Sequence, residues 1–243
     1  MSYYKYVPPK RVDILENLQI RFTQVSALND PFEAFPAVRL PDGEQKGDIF
    51  GESAKIEAFQ SRIRLITDST FAILSLSKTP DNILMWSHYA NAHCGFVIQF
   101  DSSHKFFKLG TQEVKYALKR PPMIACDGDH YTDLFSTKSP DWAYEQEVRK
   151  SLPLHNKFQR LPSGNKFVPA IPATKENPET IHLFEIPKDL ITGIIFGWKS
   201  DNKLRFAVAD ALRKNSMTHV QKMHAIPSKD EYRMEIISLS EKR

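Results

Sequence analysis

Glu145, Glu147 and Arg149 alternate within WAYEQEVRK, residues 142–150. Read as a strand, this stretch puts Trp142, Tyr144, Gln146 and Val148 on one face and Glu145, Glu147 and Arg149 on the other. Two carboxylates in that relation lie about 7 Å apart. Like charge raises the pKa of one, and an adjacent arginine lowers one again. Such a pair can divide its roles, one group polarising and the other accepting a proton. Composition alone favours a solvated strand face with a Glu–Arg cross-pair, and a helix would make Glu145 and Arg149 an ordinary i,i+4 pair.

Three further clusters could meet these carboxylates. Tyr3-Tyr4-Lys5-Tyr6 offers rings for a flat ligand and an ammonium for an anion. The plain alternative is an edge strand packing its rings on the core. Ile20-Arg21-Phe22-Thr23 is followed by Asn29-Asp30-Pro31-Phe32-Glu33. The second of these is a self-bonding turn, with Phe32 expected to plug the core and Arg21 to meet Glu33 or a ligand phosphate. The third cluster is Ser75-Leu76-Ser77, Met85-Trp86-Ser87-His88-Tyr89-Ala90 and His93-Cys94. On a helix Trp86, Tyr89 and His93 share a stripe. That stripe is either buried aromatic core or the wall of a pocket lined by Trp86, His88 and Tyr89. His88 and His93 do not share a helical face and have no second ligand pair, so no metal site is expected.

Whole classes of chemistry find no support. The chain has no Gly-rich phosphate loop, no H-E-x-x-H, no G-x-S-x-G and no paired C-x-x-C. Its 243 residues are 41% hydrophobic and 26% charged, with formal net charge +4, as expected of a globular chain able to bury a core. The mild basicity (pI ≈ 8.9) permits an anionic partner without demanding one. Two cysteines, Cys94 and Cys126, cannot build a disulfide framework and point to a reducing compartment. The opening MSYYKYVPPKR lacks the apolar segment of a secretory signal, and the longest apolar-rich run, 190–198, is far short of the ~20 residues that span a bilayer. These features predict a soluble, cytoplasmic protein with no membrane partner.

The elements that must position these residues read as follows. Strands are expected at 3–6, 20–23, 70–77, 96–101, 113–116, 142–150, 181–185, 190–196, 220–226 and 234–239. Helices are expected at 10–17, 55–66, 83–92 (capped by Asp81) and 201–214 (capped by Asp201). Many strands with interspersed helices predict a single α+β domain over 1–243, built on mixed, mainly antiparallel sheets. A Pro-rich stretch at 153–180 is a long loop or covering arm.

Taken in order, Y-K-Y, I-L-E-N, R-F, N-D-P-F-E, L-S-L-S, M-W-S-H-Y-A, H-x-G-F, V-K-Y and W-x-Y-E-x-E-x-R resemble a widespread bacterial family. It is known chiefly as a domain of unknown function and is encountered near phage-defence genes. The match runs from Tyr3 to Arg149 and weakens through Ile194-Ile195-Phe196-Gly197 and Tyr232. The same order of parts is remotely similar to ADP-ribosyltransferase-like toxins, which implies an ADP-ribosyltransferase-like fold, NAD as substrate and a defence or toxin role. By that resemblance the first-strand position falls to Lys5 with Tyr6, the nicotinamide-holding part to Ser75–Ser77 or to 86–89, and the late E-x-E to Glu145-Gln146-Glu147. Lys5 stands where such enzymes usually have His or Arg, and the middle part is not a clean S-T-S.

The resemblance implies a division of labour. Glu147 would stabilise the oxocarbenium charge that develops as the nicotinamide–ribose bond breaks, and Glu145 would position or deprotonate the acceptor. His88 completes the catalytic set. Tyr4, Lys5, Tyr6, Arg21, Ser75, Ser77, Trp86 and Tyr89 would hold the dinucleotide, Trp86 or Tyr89 by stacking and Arg21 or Lys5 by charge. The acceptor, protein or nucleic acid, stays open. Glu147→Gln is then expected to abolish NAD turnover with little change in thermal midpoint. Three rivals remain: a metal-dependent nuclease using Asp141, Glu147 and Lys150, a nucleic-acid-binding or interaction module using the basic, aromatic segment 155–167 (Lys157, Phe158, Arg160, Lys166, Phe167), and a catalytically dead scaffold that retains the fold alone.

Overall fold

The computed structural model describes residues 1–33, 36–39, 49–124, 131–154, 170–174 and 180–239. In chain order its strands and helices are β1 (Ser2–Val7), α1 (Asp13–Asn17), β2 (Gln19–Phe22), β3 (Ala37–Arg39), α2 (Ile49–Thr70), β4 (Phe71–Ser77), α3 (Ile83–Tyr89), β5 (Phe96–Asp101), β6 (Thr111–Glu113), β7 (Lys115–Tyr116), β8 (Pro122–Ile124), α4 (Tyr131–Leu134), β9 (Thr137–Lys138), β10 (Glu147–Pro153), β11 (His182–Glu185), β12 (Ile191–Phe196), α5 (Asn202–Lys214), β13 (Gln221–Pro227) and β14 (Met234–Ser238). Eight strands form one sheet in the order β14-β13-β12-β5-β1-β4-β10-β6, and β2–β11, β3–β8 and β7–β9 form small two-stranded sheets. The fold is α+β. Neighbours in the large sheet pair antiparallel except β12 and β13.

That parallel pair needs a crossover, and α5 supplies it. Asp201 caps α5 by accepting the Leu204 N–H at 2.8 Å, which satisfies an orphan donor of the first turn. Arg213 and Lys214 in the last turn suit the negative end of the helix dipole. The buried residues Leu204, Val208, Ala211 and Leu212 recur at helical spacing and join the main core with Phe96, Ile98, Ile194 and Phe196. Removing this apolar face from water stabilises the crossover by roughly 1.5–3 kcal/mol for each large side chain.

The centre of the sheet sets up the site. β1 pairs with β5 over six register positions, from Ser2↔Asp101 to Val7↔Phe96, and β4 pairs with β10 over seven, from Glu147↔Ser77 to Pro153↔Phe71. Between β1 and β4 there is a single register pair, Tyr4↔Ser77. The backbone carbonyl of Ser75 therefore takes a side-chain donor, the Lys5 Nζ at 2.9 Å.

Several expectations are corrected. Residues 142–150 are not one strand: Pro140–Glu145 is a 3-10 helix, Gln146 adopts a left-handed conformation (φ 44°), and the strand starts at Glu147. Trp142 and Tyr144 therefore do not share a strand face with Val148. The cap of α3 is Asn82, whose side chain accepts the Leu84 and Met85 N–H groups, rather than Asp81. α3 stops at Tyr89 because Asn91, Ala92 and His93 all take positive φ. α2 extends beyond the expected 55–66 at both ends. Phe32 is 56% exposed, under the Arg120 guanidinium at 5.6 Å, and plugs no core. Cys126, the segment 155–167 and most of 153–180 lie outside the described residues.

Gly95 marks the tightest approach beside the centre. A Cβ there would stand 2.1 Å from the Val7 carbonyl oxygen and 2.9 Å from that of Ala90, so backbone must shift to admit it. Gly95→Ala is expected to cost about 1–3 kcal/mol through overpacking, read as a lower urea midpoint with unchanged slope. An unchanged midpoint would contradict this packing.

Candidate functional site

The opening between β1 and β4 leads into a cavity of ≈ 210 Å³, whose lining includes Lys5, Tyr89, Lys138, Glu145, Glu147 and Arg149. Glu147 and Arg149 reach it together because they are two apart on β10. Glu145 arrives by a different route. It closes the 3-10 helix, and the left-handed Gln146 turns the chain into β10. Ser77 Oγ fixes this corner by donating to the Glu145 carbonyl at 2.7 Å. The carboxylates then converge on one ammonium: Lys138 Nζ is 2.7 Å from Glu145 Oε2 and 3.0 Å from Glu147 Oε2.

Arg149 organises the rest. All five of its N–H donors are committed. Nε donates to Glu147 Oε1 at 2.9 Å and Nη2 to Glu147 Oε2 at 3.0 Å. Nη1 and Nη2 grip both oxygens of Glu33, and Nη1 also donates to the Phe135 carbonyl at 2.8 Å. The residue is 1% exposed. Paired geometry of this quality is what offsets the cost of leaving water, on the order of several kcal/mol per ion. Glu33, Glu145 and Glu147 face Lys5, Lys138 and Arg149 around the cavity, so the formal charges balance among the described lining residues.

The environment sets the protonation states. Burial pushes the Glu147 carboxyl up, but Arg149 and Lys138 outweigh it and hold the pKa at about 2. Glu147 is therefore a permanent anion at neutral pH and no proton donor. Burial dominates at Glu33 and raises its pKa despite Arg149. Burial opposes the Lys138 charge, yet Glu147 and Glu145 keep its pKa raised. Lys5 is pushed down to about 8, mainly by burial, against the pull of Glu147. Tyr89 donates its hydroxyl to Glu145 Oε1 at 2.5 Å, and burial with that bond pushes its pKa up. The arrangement offers a fixed anion, a phenolic donor and a titratable ammonium around one small space.

The expected residues divide accordingly. Tyr4, Lys5, Tyr6, Ser75, Ser77, Tyr89, Glu145 and Glu147 all line the cavity. Tyr6 belongs largely to the core: it is 5% exposed, donates to the Thr79 carbonyl at 2.9 Å, and meets Trp86 edge to face. The serines position the glutamates, Ser75 bonding the Glu147 carboxylate and Ser77 the Glu145 carbonyl. Trp86 is not a stacking shelf. It is 0% exposed, and its Nε1 donates to the Pro80 carbonyl at 2.8 Å. His88 is exposed and outside the lining, with Nδ1 3.0 Å from the Tyr144 hydroxyl. Arg21 sits on β2 opposite Leu183 and is also absent from the described lining.

The nuclease arrangement is not assembled. Lys150 alternates away from Glu147, donates to the Leu109 carbonyl at 2.8 Å and lies over the Phe106 ring. Asp141 is exposed and bonded to Ser139. Among the described residues no group of three or more His, Cys, Asp and Glu could hold a metal ion, and no helix is long and apolar enough to cross a membrane. Lys138 carries no signal in the sequence, because a lysine on a two-residue strand has no periodic partner to announce it. Glu33, one of the two partners expected for Arg21, is held by Arg149. Comparison with protein-family models, curated proteins and solved structures finds no match.

The ion network corrects the expected thermal neutrality of Glu147→Gln, since that change leaves Arg149 and Lys138 buried with too little negative charge. Arg149→Met is expected to cost about 3–5 kcal/mol by stranding two carboxylates, measured by urea unfolding. Glu147 has a folded pKa below its ordinary 4.5, so its stabilisation is complete above pH ~4.5 and declines as pH falls toward about 2. Wild type should show that acid-limb loss in midpoint, and Glu147→Gln should show less of it. An identical acid limb in both proteins would contradict the assignment.

Proposed function

We propose that this cavity receives the nicotinamide–ribose end of NAD and cleaves the bond between them, as an ADP-ribosyltransferase or NAD glycohydrolase. The single observation behind this reading is Glu147: a buried carboxylate kept ionised by Arg149 and Lys138 at the wall of a small cavity. A preorganised anion stabilises positive charge that develops in the transition state, and it needs no reorganisation as the reaction proceeds. Glycosidic cleavage of NAD develops such charge on the ribose. The volume of ≈ 210 Å³ is below the ~300–1,000 Å³ of pockets that enclose a drug-sized ligand. One end of a dinucleotide enters, and the adenylate end stays outside.

In the reaction the C–N bond breaks with its electron pair leaving on nicotinamide. Glu147 faces the ribosyl cation. Water or an acceptor O–H or N–H group adds to the sugar carbon, and its proton passes to Glu145. Tyr4 and Tyr89 supply the aromatic walls in place of Trp86, and Lys5 offers its charge to a phosphate oxygen. His88 drops out of the catalytic set. The resemblance to ADP-ribosyltransferase-like toxins, and to the bacterial family near phage-defence genes, supports a role as a cytoplasmic effector acting on a protein or nucleic-acid acceptor.

The test is release of nicotinamide from NAD, followed by chromatography, with NAD binding followed by calorimetry. Wild type should turn NAD over. Glu147→Gln should lose turnover by at least a hundredfold, with circular dichroism confirming a folded protein at the assay temperature. Because Lys5 loses its charge as pH rises through about 8, apparent NAD affinity should weaken above that pH in wild type and stay flat in Lys5→Met. A wild-type protein that neither binds NAD nor releases nicotinamide would overturn the proposal.

A further inference from the structure

A second concavity, of ≈ 600 Å³, is built by the turn after α3, the turn after β12 and the β13–β14 hairpin, with His93, Trp198, Lys199, Lys229, Tyr232 and Arg233 in its lining. None of these residues belongs to the acidic cavity. Trp198 is 49% exposed and Tyr232 is 101% exposed. Half of one large ring and the whole of another are thus left in water, where their burial against a partner would be favourable.

The indole is held in place. Trp198 stacks on the His224 ring, with centroids 6.5 Å apart and planes at 19°. Its turn is pinned by the Gly197 N–H donating to the Gly95 carbonyl at 2.9 Å and the Lys199 N–H donating to the His93 carbonyl at 3.0 Å. Even a Cβ on Gly197 would stand 2.2 Å from that His93 oxygen. The His93 carbonyl is presented there by strained backbone: Asn91, Ala92 and His93 have φ of 50°, 50° and 69°. Consecutive left-handed non-glycine residues are costly, and such strain persists where surrounding structure over-determines it, commonly at ligand sites. The His93 Nδ1 is buried and has no hydrogen-bond partner among the described residues, a cost that this corner of the fold carries.

Lys199, Lys229 and Arg233 face Asp230 and Glu231 in the described lining, which leaves it one positive charge in excess. Among the described residues Lys199 and Lys229 enter no ion pair, and Glu231 is taken by Arg233, which leaves Asp230 as the unpaired acid of the lining. Exposed rings beside unpaired ammonium groups match a polymer of stackable bases on a phosphate backbone.

We propose that this groove binds single-stranded nucleic acid, with one base stacked on the free face of Trp198, a neighbouring base on Tyr232, and Lys199 and Lys229 on the phosphates. The binding does not depend on NAD chemistry. The probe is a fluorescently labelled oligo-dT or oligo-U strand, followed by anisotropy at several salt concentrations. Affinity should fall steadily with salt. Trp198→Ala should weaken it about tenfold or more, as expected for loss of a base stack, and Trp198→Phe should recover part of the loss. Lys199→Ala with Lys229→Ala should flatten the salt dependence. Duplex of the same length should bind more weakly than the single strand. Absence of binding, equal preference for duplex, or binding indifferent to Trp198→Ala would each overturn the proposal. Nicotinamide release by Trp198→Ala, assayed separately, should match wild type, so failure of either reading is distinguishable from failure of the other.

Discussion

The grip of Arg149 on Glu33 and Glu147 is the interaction on which the rest of the site depends. A guanidinium carries five donors in one rigid plane, and here every donor is used on groups withdrawn from water. The contact joins three parts of the chain: the turn after β2, the segment before β9, and β10 itself. Lysine could not replace it, because a point charge cannot hold two carboxylates bidentately. Once Glu147 is fixed, Lys138 has its place, and Lys138 in turn draws Glu145 into the same space. The network is therefore cooperative, and loss of one member strands the others in a low-dielectric setting.

The sheet makes room for this cluster by failing to close. A continuous ladder between β1 and β4 would leave no opening, and the single pair Tyr4↔Ser77 is what remains of it. Lys5 bonds a carbonyl of β4 across the gap and contributes an ammonium with a depressed pKa to the cavity. The large core on the opposite face, packed under α5, supplies the rigidity that an interrupted ladder forfeits. α3 connects this region to the aromatic groove. Its first residue, Ile83, lines the groove, while Met85 and Tyr89 line the cavity.

Parts of this were legible in sequence because they follow short periods. The alternation in FVIQFD marks β5, and the Asp201 cap with its apolar spacing marks α5. Glu147 and Arg149 sit two apart on a strand and do share a face. Glu145 reaches the same cavity only because Gln146 is left-handed, a conformation that no hydrophobic period announces. The stripe of Trp86, Tyr89 and His93 was visible, but periodicity cannot tell which ring lines a cavity. Tyr89 does so, while Trp86 is sealed in the core and His93 lies beyond the helix end. The Glu33–Arg149 bond spans a separation of 116 residues, and Lys138 has no motif at all. Long-range ionic partners are selected by the fold, so local spacing does not reveal them.

Glu147 is held as an anion at the wall of the cavity, which we propose admits the nicotinamide end of NAD. Carbon-13 NMR of protein labelled at the glutamate carboxyl carbons tests it most directly, with Glu147 assigned through Glu147→Gln. This resonance should show no titration from neutral pH down to about pH 3 and should move when NAD is added. A carboxyl that titrates near its ordinary 4.5 in the folded protein, with no response to NAD, would contradict it.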